Sequence, residues 1–335
     1  MENKHISVSV IGGGSWATAI VKILLDNELS KTVNWWHRSD QKVDYINKHQ
    51  HNPDYLSSIT FDLDHLVVSS DLEQCIKQGE IVILAIPSAF VHETFSDFDK
   101  HLFKDKLLVS AVKGLIPETS EILGDYFKNH LKVDSDQIGV ITGPCHAEEV
   151  ALEKLSYLTA ASENETAAKT IASIFSGRFI KTSTTDDIYG TEYSAVLKNV
   201  YAIAAGICHG LRFGDNFQAV LVSNAIREIK RFIAAVHPIE RDIDDSAYLG
   251  DLVVTAYSQF SRNRTFGNML GKGYSVKSAQ LEMNMIAEGY YAVKTVHDMN
   301  QNLQVSMPIA DFVYDVVYGG KRAKLVVDDL LDQLN

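Results

Sequence analysis

The sequence is short of cysteine. Cys75, Cys145 and Cys208 are its three, far apart and odd in number. That excludes a disulfide framework and suggests the reduced thiols of a cytoplasmic protein. No HExxH, no CxxC and no Cys/His cluster occurs among the 12 histidines, so no metal is expected. No apolar run approaches the ~18–20 residues that a membrane span needs. The start, MENKHISVSVIGGGSW, has a short apolar run broken by glycines and no small-residue cleavage signal. Neither a signal peptide nor membrane insertion is expected from it. There is no internal repeat, no low-complexity tract and no linker rich in Pro, Gly or Ser. Nor is there an excess of positive charge. A net charge of −12 argues against general nucleic-acid or anionic-membrane binding. An acidic protein can still bind an anion where it concentrates cations, and Ser258 to Gly273 holds Arg262, Arg264 and Lys272 with no Asp or Glu.

What is present is an ordinary soluble mixture, 46% hydrophobic and 22% charged, over 335 residues. That length exceeds the prior of about 100–200 residues per domain, so two domains are expected. Short β-branched or apolar runs predict strands at 5–11, 32–36, 66–68, 81–86, 107–111, 138–141, 155–160 and 178–182. Helical patterns fall near 40–49, 71–78, 88–97, 119–131 and 164–175. Strand and helix in alternation predict a doubly wound, Rossmann-type parallel sheet with helices on both faces. After about residue 185 long helical periodicities take over, at 189–210 and 217–236, then shorter ones. The boundary is placed at Asp186-Asp187. Residues 1–187 are expected to form the α/β dinucleotide-binding domain, and 188–335 an all-α substrate and catalytic domain.

Gly12-x-Gly14-x-x-Ala17 has the dinucleotide fingerprint in its required context, between a strand and a helix with a second strand to follow. Gly12 permits the tight turn, Gly14 lets backbone approach a pyrophosphate, and Ala17 lets helix and strand pack closely. The helix N-terminus then offers amides and a positive dipole to phosphates. The alternative is a glycine-rich turn without a ligand. An acid at the end of the second strand would bind a ribose 2′-hydroxyl. Here that strand ends Trp36-His37-Arg38 with no acid until Asp40. A cationic pair suits a 2′-phosphate, so the expected cofactor is NADPH or NADH with NADPH preferred.

Ligands of open parallel sheets sit beyond the carboxyl ends of strands. Lys113, in Ala111-Val112-Lys113-Gly114, is a plausible anion contact there. Thr142-Gly143-Pro144-Cys145-His146-Ala147 ends the sixth strand in the same way. Cys145 has no evident base beside it and reads best as a packed thiol. His146 and His209 carry no assignment beyond structural or surface roles.

Tyr193 to Gly210, YSAVLKNVYAIAAGICHG, has apolar residues at 193, 196, 197, 200, 203, 204 and 207. This is the spacing of a helix with one wide apolar face. Lys198 is its only Lys or Arg. An ammonium on so apolar a helix pays for desolvation, and its pKa falls toward the range where it can accept a proton. The bland alternative is a lysine whose stem packs on the core and whose head snorkels to solvent. Gly250-Asp251-Leu252 offers an acid that could orient this ammonium. Ser261-Arg262-Asn263-Arg264 offers a guanidinium fork and an amide for a phosphate.

Taken together, GGGSWATA, AIPS, AVKGL, ITGPCHAEE, EYSAVLKNVYAIAAG, GDLVVTA, SRNRTFG, GKG and AEGY resemble the bacterial NAD(P)-dependent glycerol-3-phosphate dehydrogenases in order and spacing. The resemblance runs from about Ser7 to Gly319; LKN, GDL and SRNR are its specific motifs. It implies that Lys198 is the general acid and base. It implies that Lys113, Gly143, Cys145, Asp251, Ser261, Arg262 and Asn263 contact the substrate. It implies cofactor contacts by Ser15, Trp16, His37, Lys113, Ala147, Arg262, Ile286 and Glu288, beside Gly12, Gly14, Ala17 and Arg38 of the fingerprint and second strand. Cys145 stands where the family usually has Ser or Thr, and a thiol is the weaker hydrogen-bond partner. The implied reaction interconverts dihydroxyacetone phosphate and sn-glycerol 3-phosphate and supplies glycerol phosphate for phospholipid synthesis. Two other readings stand beside it: another two-domain β-hydroxyacid-type dehydrogenase, and a non-catalytic NADPH-sensing protein. The first would carry its own signatures in place of SRNR, and the second would not need a lysine buried beside a phosphate site. The sequence leaves a homodimer open.

Overall fold

The computed structural model describes residues 6–283 and 287–334. They form two compact units. One holds the residues up to Val112 together with Leu123–Ile188; the other holds Lys113–Ile122 and the residues from Tyr189 onward.

The first unit runs β1 (Ile6–Ile11), α1 (Ser15–Leu25), β2 (Ser30–Trp36), α2 (Asp40–His49), β3 (Leu66–Ser69), α3 (Leu72–Gln78), β4 (Ile81–Leu84), α4 (Val91–Phe95), β5 (Leu107–Ser110), α5 (Leu123–Asn129), β6 (Ile138–Thr142), α6 (Ala147–Ala151), β7 (Ser156–Ala161), α7 (Glu165–Phe175) and β8 (Ile180–Thr185). All eight expected strands join one sheet in the order β3-β2-β1-β4-β5-β6-β7-β8. The central β4, Ile81-Val82-Ile83-Leu84, is buried at every residue, the pattern of a strand covered on both faces. The order reverses between β1 and β4, which places the switch-point crevice at their carboxyl ends.

The sheet departs from the expectation in one respect: it is mixed, not wholly parallel. β7 runs antiparallel to β6, and β8 then runs parallel to β7. Between β6 and β7 the only helix is the five-residue α6. A parallel crossover needs a dozen or more residues, usually with a helix long enough to return the chain along the sheet face, and α6 is too short for that. The helix expected over 119–131 is also shorter. Ile116 and Glu121 form an isolated antiparallel bridge and Ser120 has a φ of 58°, so helical backbone starts only at Leu123.

The second unit is helical: α8 (Ile188–Gly210), α9 (Asp215–Val236), a π-helical turn (Ser246–Gly250), α10 (Asp251–Tyr257), α11 (Arg262–Gly271), α12 (Val276–Glu282), α13 (Glu288–Leu303), α14 (Pro308–Val317) and α15 (Ala323–Leu331). No strand follows Thr185 among the described residues. α8 is buried along its whole length from Thr191 to Cys208, so its apolar surface extends all round, as it does for a central core helix. Gly206 of α8 and Gly267 of α11 make a close crossing. A Cβ on Gly206 would collide with the Arg264 carbonyl, and one on Gly267 with the Ile203 carbonyl. No helix among the described residues is long and apolar enough to cross a membrane.

Candidate active site

Lys198 lies near the middle of α8, and its side chain is 3% exposed. It does not snorkel. Its Nζ donates to Asp251 Oδ2, and Asp251 is equally buried. Asp251 opens α10, directly after the π-helical turn. Lys113 Nζ stands 3.9 Å from the same Oδ2 and keeps 23% of its side chain exposed. One carboxylate thus sits between two ammoniums, a local excess of one positive charge in an acidic protein. Burial pulls the Lys198 pKa from the ordinary lysine range down to about 7; Asp251 opposes the fall and Lys113 adds to it. Such a group can give or take a proton near neutral pH.

Helix ends converge on the turn of α8 that carries Lys198 and Asn199. Asn199 Nδ2 donates to the Lys113 carbonyl at 2.7 Å, which fixes the Lys113 backbone. Gly289, in the first turn of α13, packs so closely on α8 that a Cβ would come within 2.6 Å of the Asn199 carbonyl. Asn263, in the first turn of α11, accepts from Gly289 N at 2.9 Å through Oδ1. Ser261 caps α11, its Oγ accepting from Arg264 N. The amino ends of α11 and α13 therefore meet beside the Lys198 turn; α11 has no acid in its first turn, while Glu288 offsets the positive end of α13. Arg262 is exposed at the first position of α11. This arrangement suits a small dianion near a proton donor.

In the first unit the glycine loop has three different tasks. Gly12 has a φ of 139° and lies against the Ala85 carbonyl, where a Cβ would collide. A Cβ on Gly13 would come within 2.5 Å of His37 Nδ1. A Cβ on Gly14 would meet nothing within 4 Å. α1 starts at Ser15 with no side-chain cap and no acid in its first turn, a helix N-terminus whose dipole suits an anion. The Gly12 carbonyl accepts from Trp35 Nε1 at 2.7 Å, and the Gly14 carbonyl from Thr18 Oγ1 at 2.9 Å. With carbonyls drawn inward, the loop fits a pyrophosphate.

Comparison with known proteins agrees with both halves. The family profile described as NAD-dependent glycerol-3-phosphate dehydrogenase N-terminus matches residues 7–168, and that of the C-terminus matches residues 187–328. A protein of Bacillus thuringiensis named glycerol-3-phosphate dehydrogenase [NAD(P)+] is 33% identical over 328 residues, 98% of this chain and 96% of its own. The chain belongs to the NAD-dependent glycerol-3-phosphate dehydrogenase family. A Clostridium botulinum protein of the same name is 34% identical over 324 residues, 97% of this chain and 96% of its own. The crystal structure of glycerol-3-phosphate dehydrogenase from Coxiella burnetii superposes with a TM-score of 0.89 at 28% identity, covering 98% of this chain and 99% of that one.

The remaining residues that the family resemblance singles out fall as follows. Gly143 has a φ of 122° and lies against the Tyr157 carbonyl. Cys145 is buried in the apolar cluster of the first unit, and Ala147 begins α6. Trp16 is half-buried in the first turn of α1, and Ala17 is fully buried. Glu288 opens α13, and Ile286 lies outside the described residues. His37 requires a correction. It is 2% exposed, and its pKa is pushed down to about 4, by burial first and by Lys42 second, against Asp54. It is neutral at physiological pH and does not pair with Arg38 as a second cation. Arg38 stays exposed, its guanidinium 5.9 Å from the centre of the Phe90 ring.

Two residues escaped the sequence reading. Gly13, between the two fingerprint glycines, is required by His37. Asn199, beside Lys198, holds Lys113; its place in the LKN motif was the available signal. Among the described residues no group of three His, Cys, Asp or Glu could hold a metal.

Proposed function

We propose that this chain interconverts dihydroxyacetone phosphate and sn-glycerol 3-phosphate with NADPH or NADH, and so supplies glycerol phosphate for phospholipid synthesis. The observation that carries the reading is the buried Lys198–Asp251 pair with Lys113 on the same carboxylate. A bound nicotinamide cofactor would supply or take the hydride at substrate C2, with the glycine loop and the start of α1 holding its pyrophosphate. Lys198, as ammonium, protonates the new alkoxide; as amine, it takes that proton back in oxidation. Asp251 holds the Lys198 head in place, and Lys113 lends positive charge to the substrate oxygens. Arg262, the Asn263 amide and the α11 end take the phosphate. In this reading residues 1–187 supply the dinucleotide half and 188–335 the substrate and catalytic half, with Lys113 acting in the latter.

The preference for NADPH rests on Arg38 alone, because His37 is neutral. A charge-assisted contact to a 2′-phosphate contributes about 1.5–3 kcal/mol, so Arg38→Ala should weaken NADPH and leave NADH nearly unchanged. The test of the whole reading is loss of nicotinamide absorbance with dihydroxyacetone phosphate and each cofactor. Turnover that disappears in Lys198→Ala, with cofactor binding retained, supports it. No turnover with either cofactor, or full turnover in Lys198→Ala, removes it.

A further inference from the structure

Asn52 lies in the loop after α2, and it is wholly buried. A carboxamide has two N–H donors and two acceptor lone pairs, and here all four are engaged. Nδ2 donates to the Gly13 carbonyl at 3.1 Å and to Thr18 Oγ1 at 2.8 Å. Oδ1 accepts from Asp54 N at 2.9 Å and from Tyr55 N at 3.2 Å. One side chain thus ties the glycine loop, the first turn of α1 and a loop 39 residues further along the sequence.

The bond to Gly13 has a directional consequence. The Gly13 carbonyl and the Gly14 N–H belong to one planar trans peptide, in which they point opposite ways. Asn52 draws the carbonyl into the protein, so the Gly14 N–H is turned the other way. Gly14 is also the loop residue whose missing side chain leaves open space. A flipped peptide would instead aim a carbonyl oxygen at an incoming phosphate and repel it. The Gly12 and Gly14 carbonyls have their own partners in Trp35 and Thr18; Asn52 completes the set.

We propose that Asn52 is a positioning residue for the dinucleotide: it holds the Gly13–Gly14 peptide so that the Gly14 amide meets the cofactor pyrophosphate. The inference rests on reading this loop as the cofactor site. It acts on the pyrophosphate, which both cofactors share, and not on the 2′-position.

The test uses the full chain carrying Asn52→Asp and, separately, Asn52→Ala. Aspartate keeps the acceptor for Asp54 and Tyr55 but sets an oxygen against the Gly13 carbonyl; alanine removes all four bonds. Titration with NADPH and with NADH should show both dissociation constants raised by a common factor, on the order of ten- to hundredfold. The KM for dihydroxyacetone phosphate, and kcat at saturating cofactor, should stay close to the unaltered protein's. A merely structural role would not separate these constants. Unchanged cofactor affinity in a folded variant, a loss confined to NADPH, or a loss of kcat with affinity retained each overturns the proposal. If neither variant folds, hydrogen exchange in the unaltered protein decides. NADPH should slow exchange at the Gly14 amide, and no slowing overturns the proposal. Failure of the unaltered protein to bind either cofactor would instead remove the dinucleotide reading itself.

Discussion

If Lys198 gives and takes the substrate proton as proposed, the two reaction directions should depend on pH with opposite sign. Its pKa is lowered on folding, from 10.5 to about 7. Below pH 7 it is an ammonium, so ketone reduction should run on a plateau. Above that the donor is lost, and the rate should fall about tenfold per pH unit, to about 1% of plateau at pH 9. Alcohol oxidation needs the amine, so its rate should climb toward pH 7 and then level off. The same group leaves a mark on stability. Between about pH 7 and the ordinary lysine range the unfolded chain binds a proton that the folded chain does not, so this contribution to stability rises with pH across that window. The full fall in pKa corresponds to about 5 kcal/mol, a ceiling that repacking and solvent entry will reduce. Removing Asp251 as Asn takes away an opposing influence and should move both limbs to lower pH; Lys113→Met should move them up. The apparent pKa belongs to the interacting group of Lys198, Asp251 and Lys113, so the shifts are read as changes in the whole profile. The assay is initial rates at the nicotinamide band, in both directions, from pH 5.5 to 9.5, with chemical denaturation of the protein and of Lys198→Met over the same range. A common limb in both directions, or a limb at the ordinary lysine pKa, would refute the reasoning.

The glycine loop separates fold from binding. Gly14→Ala should melt like the unaltered protein but bind either cofactor poorly in titration, because its methyl enters open space. Gly13→Ala drives a methyl into the His37 ring and should lose about 1–3 kcal/mol by denaturant unfolding. Asn263→Asp keeps the acceptor for Gly289 N and should retain its melting temperature. It exchanges an amide donor for a negative charge, so steady-state kinetics should show a raised KM for dihydroxyacetone phosphate. Gly267→Ala presses on the Ile203 carbonyl across the α8–α11 crossing. It should destabilise the helical unit by at least as much as Gly13→Ala does its own, seen as earlier thermal unfolding.

The strands were legible because a covered strand must be apolar: IVIL at 81–84 can be little else. The direction of β7 was not, since a strand carries the same side-chain pattern whichever way it runs. The Lys198 helix announced its burial through composition. Its acid was visible only as a candidate, because nothing local marks Asp251 as the partner of a residue fifty-three positions away. His37 shows the opposite failure. Next to Arg38 it reads as a cation, but its charge is set by burial against Trp35 and Gly13, with Lys42 adding to the effect. Gly206 and Gly267 are weak helix formers when read one at a time. Their reason for being there is the backbone of another helix.

The segment Lys113–Ile122 belongs to the helical unit although it lies within the sequence of the sheet unit. Leu115 and Ile122 are buried in the same apolar cluster as Leu197 and Val200 of α8. Any attempt to dissect the protein by a single cut meets this exchange. A fragment ending near residue 187 would carry two large apolar side chains with nothing to cover them, an invitation to aggregate. The complementary fragment would keep Lys198 and Asp251 but surrender Lys113. Expression of either half therefore calls for grafting ten residues across, not for trimming an end.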